Sequence, residues 1–250
     1  AYSIAFNYCQ ERKQRMQKRI RQRLSFALVF ALLISLLPAP ISTVYADVTP
    51  PVITEKWEDA GNYSTTWYDS GVGTESEPYS IQTAEDLAGL IYLSNNQTVD
   101  FMNKYIRLDS NIDLSGKLWT APFGKYTGTA PGMGVLTKNF CGVFDGNGKT
   151  ISGMTIVSDG NEDTDYYLGL FATLDVFGTI KNLTLTGSQI YLTSNPHTFA
   201  GLIVGRCSGA LDGVKVEDSS IHSDGASGIG GLVGGASVPS ESSATAIISN

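Results

Sequence analysis

Two histidines, His197 and His222, are all the imidazole this chain offers. A zinc hydrolase site of the His-Glu-x-x-His kind needs two His one helical turn apart with a Glu between them. His197 falls in a loop and His222 near a strand end, so that chemistry is absent. Acyl transfer by a Ser-His-acid set finds many serines, but they sit in turns and on solvent faces, with no Gly-x-Ser-x-Gly elbow. Two acidic stretches invite a calcium reading. "DSNIDLSG" starts like an EF-hand loop with Asp109, Asn111 and Asp113, but Leu114 stands where Gly is needed and Thr120 where Glu is needed. "SDGNEDTDYY" gathers Asp159, Glu162, Asp163 and Asp165 in one loop. That loop is the stronger calcium candidate, with a solvated acidic turn as the ordinary alternative, and 109–116 reads better as a strand with outward acids. No other cofactor is implied.

Charge divides the chain. Residues 1–46 hold seven of the 17 Lys and Arg and one of the 24 acids. The remainder carries ten bases against 23 acids, a net of −13. So acidic a body repels phosphates, which argues against nucleic-acid binding. The basic start, "MQKRIRQR", runs into "LSFALVFALLISLL" and then "PAPISTVYA". Basic, apolar and small-x-small segments in that order read as a secretory signal ending at Ala46. The apolar run is short for a membrane span, so membrane contact is expected only through the signal or a distal anchor. Cleavage removes Cys9 and leaves Cys141 and Cys207 in a compartment that permits disulfides. Their spacing does not decide whether they pair.

The elements that would carry a site read as follows. Residues 47–80 form a linker with an N-terminal strand region. Residues 81–139 form an N-terminal cap with a helix over 84–94, where Thr83 is an N-cap with Asp86 three residues on. From 140 to 250 the pattern is short strands and turns that repeat about every 30 residues. "GKTISGMTI" (148–156), "GTIKNLTLTGSQI" (178–190) and "GALDGVKVEDSSI" (209–221) align, and "LGLFA", "AGLIV" and "GGLVG" accompany them. The alignment puts Gly153, Asn182 and Gly213 in one column, with Asn250 as a fourth copy. Gly and Asn take φ > 0 most readily, so the column predicts a backbone corner between two strands. Ser152, Lys181 and Asp212 fall in one outward column, Thr155, Thr184 and Lys215 in another, and Val157, Thr186 and Glu217 in a third. None stacks two acids, as glycoside hydrolysis would need. Tyr166, Tyr167 and Tyr191 lie near rung loops, where they could meet carbohydrate; Phe171 and Phe177 read as buried. A lone rung buries too little to offset its chain entropy, so the rungs must stack as a solenoid.

These segments resemble the GLUG motif of bacterial surface β-solenoids. "YSIQTAEDLAGLIYLSN", "YIRLDSNIDLSG" and "FCGVFDGNGKTISGMTI" resemble the region before GLUG repeats, including regions flanking immunoglobulin-A proteases of streptococci. The likeness covers roughly 65–250. It implies an all-β, right-handed parallel β-helix with a short N-terminal capping helix. It implies a secreted or cell-surface module, non-enzymatic, serving adhesion or as a stalk, whose partner is a host or cell-surface protein or a glycan. It carries no catalytic residue. The rival is a carbohydrate-active β-helix, or an accessory region of a protease whose catalytic part lies beyond residue 250.

Overall fold

The computed structural model describes residues 49–96, 99, 101–123, 126–127, 135–136, 139–158, 167–192, 198–223, 228–236 and 247–249. The short alternating segments pair in parallel, each with the equivalent segment one repeat away, and so build a parallel β-helix. Five strands make one turn of it: Thr179–Lys181, Thr184–Thr186, Gln189–Leu192, Phe199–Gly201 and Val204–Cys207. The next turn repeats them at Ala210–Asp212, Lys215–Glu217, Ser220–Ser223, Gly228–Gly230 and Val233–Ala236. Alternation turns one residue in two inward. Phe144, Ile180 and Leu211 stack in the first sheet, each 0% exposed. Ile151 and Leu185, also fully buried, stack with the half-buried Val216 in the next sheet.

The first sheet is the tallest. It orders Tyr79–Ile81, Tyr105–Leu108, Val143–Asp145, Thr179–Lys181, Ala210–Asp212 and Ile247–Ser249 side by side. It therefore begins at Tyr79, well before residue 140, where the sequence pattern puts the first rung. A sheet edge left bare invites pairing with other chains. Here the turn Trp67–Ser70 lies on the outermost strand, and the Ser80 N–H donates to Ser70 Oγ at 3.3 Å. The helix Ala84–Asn95 follows that strand. Its Thr83 hydroxyl accepts the Asp86 N–H, and the Asp86 carboxylate accepts the Thr83 N–H, both at 3.1 Å. That reciprocal pair satisfies donors a helix start leaves open. Leu87, Leu90, Ile91 and Leu93 are buried in the core.

An aromatic chain ties this cap to the rungs. Trp67 stacks on Phe101 at 5.9 Å, and Phe101, Phe123, Phe140, Phe171 and Phe144 follow with centroids 5.1 to 6.2 Å apart. Rings at such distances add to their burial by favourable edge and offset contacts. Trp57 and Trp119 are buried too, their indole N–H groups donating to the carbonyls of Leu114 and Leu170.

The Gly-Leu segments at 169–170, 201–202 and 231–232 join two strands that lie back to back. A Cβ at Gly201 would stand 2.4 Å from the Val204 oxygen, and one at Gly205 would stand 2.6 Å from the Leu168 nitrogen. Main chain meets main chain there, so only the smallest residues fit. Leu170 and Leu202 drive inward at the turn, 0% and 3% exposed. Among the described residues no helix is long and apolar enough to cross a membrane.

Candidate functional site

The corners decide which side chains share a face, because each φ > 0 residue redirects the strand after it. Asn182 (φ 53°) and Gly213 (φ 61°) occupy the corner after the first sheet. The Asn182 N–H donates to the Asp212 carbonyl of the rung above at 2.9 Å, and its Nδ2 donates to Asp145 Oδ1 at 3.1 Å. Gly153 (φ 70°) is also a corner residue, but of the following corner. Thr150–Ser152 pairs with Thr184–Thr186, not with Thr179–Lys181, so Gly153 stacks with Gly187 (φ 58°) and Asp218 (φ 46°). The column of Gly153 with Asn182 and Gly213 is thus corrected to two columns. The shift has a local cause. In the third rung four residues, 146–149, turn the corner that Asn182 and Leu183 turn in the fourth, with Asn147 (φ 53°) and Gly148 (φ 68°) supplying the bend. Asn250 lies outside the described residues.

The second corner carries a hydroxyl relay. Ser188 is 0% exposed. Its Oγ donates to the Thr186 carbonyl at 3.1 Å and accepts the buried Met154 N–H of the neighbouring rung at 3.2 Å. Ser219 repeats the arrangement, accepting the Ser188 N–H at 3.0 Å. Buried main-chain donors are satisfied in this way without a sheet partner.

The corrected register also changes the outward columns. On the first sheet Arg107, Asp145, Lys181 and Asp212 stand one above another. Beside them Tyr105, Val143, Thr179 and Ala210 form a second, half-buried column. On the next sheet Thr150, Thr184 and Lys215 share one column and Ser152, Thr186 and Glu217 another. On the third, Thr155, Gln189 and Ser220 line up, as do Val157, Tyr191 and His222. The columns read from sequence therefore shift by one corner wherever the first copy enters.

The charged column is the feature that sequence reading missed. Lys181 Nζ lies 3.4 Å from Asp145 Oδ2. The Arg107 guanidinium contacts the Asp109 carboxylate at 2.7 and 3.3 Å, and the Ser80 hydroxyl donates to the same carboxylate. Those hydrogen bonds, the one from Arg107 first, hold the Asp109 pKa below the usual carboxylate range. Asp113 is held low by the Ser115 N–H, which donates to its Oδ1 at 2.9 Å. The signal in the sequence was the third residue of "YIR", "VFD", "TIK" and "ALD". It emerges only when the "FDGNG" turn is counted as part of the rung.

Hydrolytic chemistry finds one pair. Ser220 Oγ lies 2.9 Å from His222 Nε2, and the imidazole stacks on Tyr191 at 5.0 Å. A nucleophile–base pair needs a third group to orient the base. Among the described residues no carboxylate bonds His222. The described residues also hold no group of three His, Cys, Asp or Glu that could bind a metal. The calcium candidates Asp159, Glu162, Asp163 and Asp165, with Tyr166 and His197, lie outside the described residues.

Three aromatic expectations are corrected. Tyr167 and Tyr191, expected at the surface, are 6% and 7% exposed. Tyr167 packs against Phe199 and Tyr191 against His222. Phe177, expected in the core, is 78% exposed. It caps a corner that Asp175 holds by accepting the Phe177 N–H at 3.3 Å, so its side chain points off the rung. Cys141 and Cys207 are thiols, donating to the carbonyls of Asn139 and Gly209, each at 3.6 Å. Burial pushes the Cys207 thiol pKa up.

No family model matches the chain, and no solved structure matches it. Two curated proteins are similar. One is described as a Gly-rich membrane protein, from Evansella cellulosilytica, 32% identical over 167 residues. The other is named halomucin, from Haloquadratum walsbyi, 31% identical over 167 residues. Each match covers 66% of this chain, but only 17% of the first relative and 2% of the second. The chain is similar to a small part of much longer proteins.

Proposed function

We propose that this chain is a non-enzymatic module of a secreted or cell-surface protein, built as a GLUG-type β-solenoid and serving as a stalk or adhesive scaffold. The observation that carries the reading is the make-up of the outward columns. On the first sheet they set base beside acid, with Lys181 paired to Asp145 of the neighbouring rung, and on the next two sheets they set hydroxyls mostly beside hydroxyl, amide or a single charge. Such a surface suits a rod that presents faces to partners, and among the described residues the Ser220–His222 pair has no carboxylate to orient the imidazole, as hydrolysis would need. The relatives' names, a membrane protein and a halomucin, point toward the envelope and toward long chains. The partner is a host or cell-surface protein or a glycan.

Antibody against the chain should label intact producing cells, and protease added outside should remove the label. Labelling only after permeabilisation would overturn the surface reading. The purified chain should turn over neither glycan nor peptide substrates; turnover lost on Ser220→Ala would establish the enzymatic rival.

A further inference from the structure

The outward face of the first sheet is self-complementary in one orientation only. Along the solenoid axis its charged column reads Arg107, Asp145, Lys181, Asp212, alternating in sign, at about 4.8 Å per rung. Consider a second copy laid face to face and related by a two-fold axis parallel to the strands. That rotation reverses the order of the rungs and keeps each column opposite itself. Arg107 then meets Asp212 of the second copy and Asp145 meets Lys181, so all four rungs place opposite charges together. The neighbouring column follows suit. Tyr105 faces Ala210, a large side chain against a small one, and Val143 faces Thr179, two β-branched side chains of similar size. A two-fold axis along the solenoid exchanges the columns instead, and sets the charges against Tyr105, Val143, Thr179 and Ala210. The symmetric contact is therefore antiparallel, an isologous interface in which one patch serves both partners.

We infer that this face binds a second copy of the chain, antiparallel, as molecules on two opposed surfaces would meet. The inference rests on the surface-module reading above and names its partner. Single exposed ion pairs contribute little, and Arg107 already shares Asp109 within its own chain. Contact is accordingly weak for one pair of molecules and strong for arrays, where many contacts act together. The acidic bodies repel at long range, so contact is best where salt screens the bodies and not the paired ladders.

The test is clustering of beads that carry the chain, at about 0.1 M and about 1 M salt. Beads should cluster at the lower salt and disperse at the higher. The double variant R107D/D145R keeps the net charge but sets like charge against like at all four rungs; clustering should fall at least tenfold. D145K/K181D also keeps the net charge, changes the column as much, and preserves every opposite pair; clustering should persist. Thr179→Arg, in the neighbouring column, should disrupt clustering without touching the ladder. Circular dichroism and melting temperature establish that each variant is folded. Dispersed wild-type beads, or equal clustering by the two folded double variants, would overturn the inference. Cell-surface labelling is independent of bead clustering, so a failure here alone leaves the surface reading standing.

Discussion

Replacing Asn182 tests the corner directly. Its φ of 53° is one that a β-branched residue adopts only under strain. Strain of this kind costs about 1–3 kcal/mol. The Nδ2 bond to Asp145 is exposed, and its loss adds about 0.5–1 kcal/mol. Asn182→Val should therefore destabilise by about 1.5–4 kcal/mol, combining both terms. Asn182→Gly keeps the backbone conformation and loses only the bond, about 0.5–1 kcal/mol. For a body of this size each kcal/mol moves the melting temperature by roughly 2–4 °C. Thermal melts followed by circular dichroism should separate the two variants by several degrees. A cycle with Asp145→Ala isolates the bond: in that background Asn182→Gly should be silent, while Asn182→Val keeps its strain. Equal melting temperatures for Val and Gly would refute the argument that backbone geometry selects the residue.

The second corner offers a matched case, since Gly187 (φ 58°) has only the Gly153 nitrogen, 4.0 Å away, near its missing Cβ. Gly187→Val should cost about 1–3 kcal/mol from strain alone, read from urea midpoints. Ser188→Ala strands the buried Met154 N–H, and should cost about 1–3 kcal/mol in the same assay. Phe171→Ala opens the aromatic chain and should cost about 3–5 kcal/mol, with loss of near-ultraviolet dichroism in the cap. Asp109 has a folded pKa below its unfolded value, so it stabilises the fold above the unfolded pKa of about 3.9 and loses that stabilisation as pH falls through the folded pKa. Arg107→Met should shrink the loss of stability between pH 6 and pH 3; an unchanged acid limb would contradict the role assigned to that pair.

Much of the architecture follows from local rules that a sequence displays. Alternating apolar residues specify which side of a strand is buried, Thr83 and Asp86 mark a helix start, and repeating Gly and Asn mark corners. These are short-range effects of backbone sterics and burial, so they read off neighbouring residues. Register is different. "TISGMTI" and "TIKNLTL" both alternate and both contain a φ > 0 residue, so the first can be laid on either of two corners of the second with the same apolar fit. Only the extra residues of the 146–149 turn, packed against the next rung, decide that Ile151 stacks on Leu185 and that Asp145 sits beneath Lys181. The same holds for Tyr191 and Phe177. Their exposure depends on which element lies over them, a matter of three-dimensional packing that no alternation pattern encodes. The sequence by itself determined a β-solenoid with a capped start. The tertiary structure decided which charges share a column, because neighbours in that column, Arg107, Asp145, Lys181 and Asp212, are 38, 36 and 31 residues apart in the chain and about 4.8 Å apart in space.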